Sequence, residues 1–259
     1  MTAKILTIDI ETAPTLAYVW RLFDQNVGLN QVVKPTYILS WAAKWLGEKK
    51  IHYDGISNHT KGKCTERFEG KMVKGMWELL DEADIVVGHN SIGFDHKYLN
   101  SAFIRAKLDP PSNFRKVDTL RIAKANTKFL SNKLEHLVYT LGLDHKMHNE
   151  GFELWTKCMA GDKAAWRRME AYNIQDVLIL EDVYIKMRAW DKRHPNMALY
   201  YEDDKVRCTV CGSTNHQTLT KRARTAVSIF AAYRCKSCGH IMRDASREKV
   251  YKEIMRNAQ

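Results

Sequence analysis

The apolar run Ile5-Leu6-Thr7-Ile8 predicts a buried strand, yet it continues without a break into Asp9, Ile10 and Glu11. Further on, ILSWAAKWL (38–46) and the stretch 50–53 predict two more strands around a Gly47-Glu48 turn. Over 72–82 the spacing of Met72, Met76, Leu79 and Leu80 predicts a helix with one apolar side. Ile85-Val86-Val87-Gly88 predicts a short strand ending in glycine, and 95–107 a helix stopped by Pro110-Pro111. Residues 116–119 read as a strand end, 134–141 as a helix closed by Gly142, and 162–189 as a long helical region of two helices. A hairpin-like opening followed by alternating strands and helices predicts an α/β fold. The polar stretch 191–205, with His194-Pro195-Asn196 and Glu202-Asp203-Asp204, reads as a linker. It separates a main domain over 1–190 from a small region over 206–243 and a C-terminal helix over 244–259.

Composition narrows the class. With 259 residues and 45% hydrophobic content a sizeable core is expected. No apolar run reaches the roughly 20 residues that span a bilayer, and no secretion signal is visible, so a soluble, cytoplasmic protein without a membrane partner is expected. The formal charge is +11, unevenly spread: residues 205–259 hold 12 Lys/Arg against 3 Asp/Glu, the first 204 residues 29 against 27. A basic C-terminal region either attracts a polyanion, most commonly nucleic acid, or simply keeps its surface solvated.

Residues two apart on a strand share a face, so Asp9 and Glu11 project together. Adjacent carboxylates take up a proton, share a cation, or end the strand in solvent. Hard divalent ions such as Mg²⁺ and Mn²⁺ favour such oxygen ligands. Asp95 stands next to Phe94 near a predicted helix start, and Tyr172 and Asp176, four apart, share one helical face.

In order and spacing, Asp9-x-Glu11, Asn90-x-x-x-Phe94-Asp95 and Tyr172-x-x-x-Asp176 resemble the three exonuclease motifs of the DEDD superfamily, in its tyrosine subclass. Asp118-Thr119 and the stretch from Leu134 to Gly142 are similar to the same family. GFELW (151–155), Met159-Ala160-Gly161-Asp162 and His194-Pro195-Asn196, followed by two cysteine knuckles, resemble exonucleases encoded by bacteriophages. The resemblance implies a ribonuclease-H-like mixed sheet flanked by helices over 1–190, and a 3′–5′ exonuclease releasing nucleoside 5′-monophosphates, on single-stranded DNA with a free 3′ end. It implies two Mg²⁺ or Mn²⁺ ions held by Asp9, Glu11, Asp95 and Asp176, which supply an activated water and neutralise charge on the leaving oxygen. Tyr172 then orients the attacking water, since a phenol of pKa near 10 is a poor base at neutral pH, and Glu11 also meets the terminal 3′ hydroxyl. Phe94 either wedges near the terminal bases or anchors the core, and Asn90 either bonds near the site or fixes its loop. Lys133 is a candidate phosphate contact.

Cys208-x-x-Cys211-Gly212 and Cys235-x-x-Cys238-Gly239 form two knuckles. Together they make a Cys₄ set for one structural Zn²⁺, in a zinc ribbon with a strand over 227–234; redox disulfides or unligated thiols are the alternatives. Lys221, Arg222 and Arg224 precede Phe230, Tyr233 and Arg234. That pattern suits capture of a single strand by phosphate contact and stacking. Alternatively the aromatics pack inside the ribbon, or the ribbon recruits a replication or recombination protein. Cys64 and Cys158 read as ordinary small residues, Trp41, Trp45 and Trp166 as core, and His145, His148 and Glu150 as a polar loop near the cleft; His89 and His96 receive no chemical role. A structure-selective endonuclease and a non-catalytic nucleic-acid adaptor remain the competing readings.

Overall fold

In the computed structural model, which describes residues 2–143 and 151–248, the first apolar run forms strand β1 (Ile5–Thr12). Leu6, Ile8 and Ile10 enter the main core. The chain then makes an excursion containing two short paired strands, β2 (Leu16–Ala17) and β3 (Val32–Lys34). It returns as β4 (Ile38–Trp45), antiparallel to β1, and turns back as β5 (Ile51–Gly55). This is the expected hairpin, with Gly47 at φ +82° in its turn.

Helix α1 (Glu69–Glu82) buries Met72, Val73, Met76, Leu79 and Leu80, matching its apolar period. It leads to β6 (Ile85–Gly88), parallel to β1. Helix α2 (Asp95–Arg105) then packs beside α1, and the Arg105 guanidinium bonds the buried Glu69 carboxylate at 2.7 and 2.9 Å. Strand β7 (Arg115–Asp118) is parallel to β6. The sheet order is therefore β5-β4-β1-β6-β7, with β1 in the middle. Helices α3 (Thr119–Asn126), α4 (Leu134–Thr140), α5 (Glu153–Ala160) and α6 (Lys163–Met187) follow. A central mixed sheet flanked by helices is the expected architecture, ribonuclease-H-like in form. Trp41 and Trp166 are buried in this core, with Trp45 packed against it, as are Cys64 and Cys158.

Two expectations are corrected. Within 162–189 the α-helix α6 runs unbroken from Lys163 to Met187, with only a short 3-10 turn, Arg188–Trp190, after it; α6 has no internal Pro or Gly to interrupt it. The C-terminal helix expected over 244–259 does not begin at Asp244: the Asp244 and Glu248 N–H groups bond back to Ala231 and Ile229 carbonyls, which holds 244–248 against a strand. From 249 on that expectation lies outside the described residues, as do His145, His148 and Glu150.

Two units divide the chain, one over Lys4–Tyr184 and one from Ile185 onward. The second contains an antiparallel sheet of β8 (His216–Arg224), β9 (Ile229–Cys235) and β10 (Ile241–Arg243), in the order β10-β9-β8. Within 191–205, Met197–Tyr200 form a 3-10 turn, and the buried Met197 donates its N–H to the Thr209 carbonyl.

Candidate active site

Strand β1 outlasts its parallel neighbour. Pairing with β6 ends at Thr7–Val87, while pairing with β4 continues to Thr12. Asp9 and Glu11 lie on the part of β1 beyond that point. After Gly88 the chain turns sharply: Asn90 takes φ +61°, and the Asp118 carboxylate accepts the Asn90 N–H at 2.9 Å and the Ile92 N–H at 3.3 Å. This turn starts α2 with Asp95 at its first position, buried. The Asp95 carboxylate lies close enough to the Ile10 backbone N–H of β1 for that dipole to act on it. Tyr172 and Asp176 stand one turn apart on α6, with the Tyr172 hydroxyl close enough to the Asp176 carboxylate to act on it.

The three sequence motifs therefore meet. Oxygens of Asp9, Glu11 and Asp176 lie within 4.8 Å of one another, and Asp95 is close enough to act electrostatically on Asp9 and Glu11. Burial, then mutual repulsion, pushes Asp9 well above the carboxylate range. Burial and the Asp176 charge raise Glu11 to about 8. Burial alone accounts for most of the rise of Asp95 to about 7 and of Asp176 to about 6. Among the described residues no lysine or arginine is ion-paired with any of the four; N–H and O–H donors alone offset them. An all-oxygen, anionic, converging donor set of this kind fits hard divalent cations. Tyr172 is pushed above its ordinary pKa of 10 by burial and by Asp176, Glu11 and Asp9, so its hydroxyl stays protonated.

Two residues with no role assigned from sequence hold this cluster. Asn173, fully buried, donates through Nδ2 to Asp9 Oδ2 at 2.6 Å and accepts at Oδ1 from Ser40 Oγ at 3.1 Å. Trp155 Nε1 donates to Glu11 Oε2 at 3.1 Å, and its ring meets Tyr172 edge-on, centroids 5.9 Å apart. Asn173 is adjacent to Tyr172 in the third motif, and Trp155 closes the GFELW stretch. A polar residue beside a motif and a tryptophan in a short polar-flanked helix were the available signals.

The other candidates are placed as follows. Asn90 fixes its loop through its backbone. Phe94 is 37% exposed, its ring 4.7 Å from Tyr98, and so is not a core anchor. Lys133 is exposed at the N-cap of α4. His89 Nδ1 lies 2.8 Å from Thr119 Oγ1, and burial holds His96 down to about 3, neutral. Lys221, Arg222 and Arg224 are exposed on β8, in the other unit. Arg222 is ion-paired with Glu248 at 2.6 Å. Phe230 is buried beneath Arg243, and the Tyr233 hydroxyl donates to Asp244, so the ribbon aromatics serve its packing.

In that second unit the four knuckle sulfurs converge. Cys208–Cys238 and Cys211–Cys235 Sγ separations are 3.6 Å, and all four lie within 4.8 Å. A tetrahedral thiolate site with metal–sulfur bonds of ~2.3 Å has edges of about 3.8 Å, so the set fits a zinc-sized ion. Gly212 and Gly239, at φ +72° and +85°, close the knuckles in the left-handed region.

The profile of the RNase_H superfamily matches residues 35–188. The match includes Asp95, Tyr172 and Asp176; Asp9 and Glu11 lie before it. No curated protein matches the chain. Among solved structures, the family B DNA polymerase from the hyperthermophilic archaeon Pyrobaculum calidifontis is similar, with 15% identity and a TM-score of 0.47, over 72% of this chain. The similarity covers 25% of the polymerase chain, so this chain spans about a quarter of its length.

Proposed function

The chain belongs to the RNase_H superfamily, and from that premise we propose a metal-dependent nuclease of the 3′–5′ exonuclease type, acting on single-stranded DNA. The observation that carries the reading is the convergence of the half-buried Asp9 and Glu11 with Asp176, and the buried Asp95 near them, where among the described residues no lysine or arginine is ion-paired with any of the four carboxylates. The four would hold two Mg²⁺ or Mn²⁺ ions. When bound, such ions supply an activated water and stabilise the leaving oxygen and the charge on the phosphoryl group.

The chain's own groups position that chemistry. Tyr172, protonated and beside Asp176, orients the attacking water by hydrogen bond rather than taking its proton. Glu11, bonded by Trp155, would also meet the terminal 3′ hydroxyl. Phe94, partly exposed just before Asp95, is available to stack near the terminal base. The Cys₄ set binds a structural Zn²⁺, and Lys221 and Arg224 of the ribbon attract the substrate or a replication or recombination protein. The similarity of the cysteine knuckles and GFELW to phage exonucleases supports a phage origin, and with it action in a host cytoplasm.

The test uses 5′-labelled single-stranded DNA and matching RNA, with Mg²⁺, Mn²⁺ or no added divalent ion, beside Asp176→Ala. A metal-dependent ladder shortening from the 3′ end, lost by at least ~10³-fold in the variant, is expected. A single internal product would make the protein an endonuclease, and retained binding without turnover an adaptor. Faster cleavage of RNA would overturn the DNA preference.

A further inference from the structure

The unit over Lys4–Tyr184 contains a second concave site. A cavity of about 530 Å³ opens between β5, the segment that follows it and the start of α6. None of the four carboxylates, nor Tyr172, lines it. Its volume falls in the range of small-ligand pockets, roughly 300–1,000 Å³.

The charge of the lining is one-sided. Lys61, Lys163 and Arg167 border the cavity, against the single carboxylate of Glu170. No ion pair is recorded for any of the three cations among the described residues. Lys163, Arg167 and Glu170 recur at helical spacing, so α6 presents them on one side. Asp54, on the strand behind the cavity, is already engaged by His59, Asn58 and the Gly55 N–H. An approaching anion therefore meets a net positive lining, three cations against one carboxylate, with a guanidinium fork able to grip two phosphate oxygens.

The remaining wall holds two aromatic residues, Tyr53 and Trp166, among small and polar ones. Trp166 is buried, fixed by its Nε1 bond to the Cys158 carbonyl at 2.9 Å. The buried Tyr53 hydroxyl lies beside Ser40 without good hydrogen-bond geometry to it. Rigid aromatic surface at one side and free cations at the other match the two halves of a nucleotide.

We infer that this cavity binds a nucleotide, with its phosphate on Lys61, Lys163 and Arg167 and its base against Trp166 and Tyr53. The nucleotide comes either free, as a nucleoside monophosphate, or as one residue of a single strand. This assignment does not depend on the hydrolytic reading.

Isothermal titration calorimetry without added divalent ions tests it, using deoxyadenosine 5′-monophosphate, inorganic phosphate and a short single-stranded oligonucleotide. Saturable binding of the monophosphate or the oligonucleotide is expected; whichever binds more tightly identifies the source. The surface variant Lys163→Glu/Arg167→Glu should weaken it at least tenfold. Thr60→Trp, which fills the cavity without changing its charge, should do the same. Lys124→Glu/Lys128→Glu, the same charge change at exposed positions elsewhere, should leave it within twofold. Absence of saturable binding, equal loss in the control variant, or unchanged binding in both cavity variants would overturn the site. Phosphate binding as tightly as either nucleotide ligand would overturn the nucleotide assignment.

Discussion

Asp9 does not hold its position alone. Its carboxylate is tied by Asn173, itself bonded to Ser40, and those two partners are fully buried. Donors behind a metal ligand tune its direction and basicity, and losing one typically costs 10–100-fold in metal affinity. Asn173→Ala should therefore weaken Mn²⁺ binding by about that factor, read by calorimetry, with the fold retained in circular dichroism. Unchanged affinity would reduce Asn173 to packing. The carboxylates also make stability depend on pH. Their folded pKa values are raised, to about 8 for Glu11 and about 6 for Asp176, so the metal-free native state binds more protons than the unfolded chain. Its stability is then fullest at or below the unfolded carboxylate values, near pH 4, as far as these groups are concerned, and falls as pH rises to about 8. Melting of the metal-free protein should show that decline, and added Mg²⁺ should reverse most of it at pH 8. The four acids and Tyr172 were legible as candidates because the order and spacing of their three stretches resemble a known motif set. Asn173 and Trp155 were not, because their roles arise from contacts with β1 across 164 and 144 positions of chain.

At the scale of elements, the site depends on where strands stop. β6 ends at Gly88, and a methyl group there would sit 2.3 Å from the Ser91 Cβ, inside the turn that delivers Asp95. Gly88→Ala must push that turn outward. A misplacement of ~1 Å at a reacting group costs about 10² in rate, so the variant should lose turnover by that order while remaining folded. Near wild-type turnover would mean that the turn adapts. The sequence located β1, β4, β5, α1, β6 and α2 because each carries its own apolar period or its own stop signal. It missed β2 and β3, whose apolar residues are largely exposed, and the eight-residue helices α3 and α5. The break expected within α6 failed for a different reason. Its length suggested two helices, but nothing in 163–187 terminates one.

For the molecule as a whole, the two units rest on different sources of stability. The first has a continuous core of aliphatic and aromatic side chains; the ribbon has a small cluster centred on its cysteines, Val210 and Met242. A region that small would depend on a metal held by the four cysteines. Cys208→Ser should unfold 206–243, seen as loss of its amide NMR dispersion, while resonances of 4–184 persist. Persistence of both sets would show that the ribbon stands without an ion. The excursion between β1 and β4 has a consequence of another kind. Trp20 is 95% exposed, and Tyr18, Leu22, Phe23 and Leu29 are almost as open, while the chain carries a formal +11 charge. Oily side chains on a strongly cationic particle stay dispersed through mutual repulsion, whose range shrinks to about 3 Å in molar salt. Solutions of this protein should thus become turbid as salt is raised, and clear again on dialysis into dilute buffer. In this respect the molecule behaves as a charge-stabilised colloid.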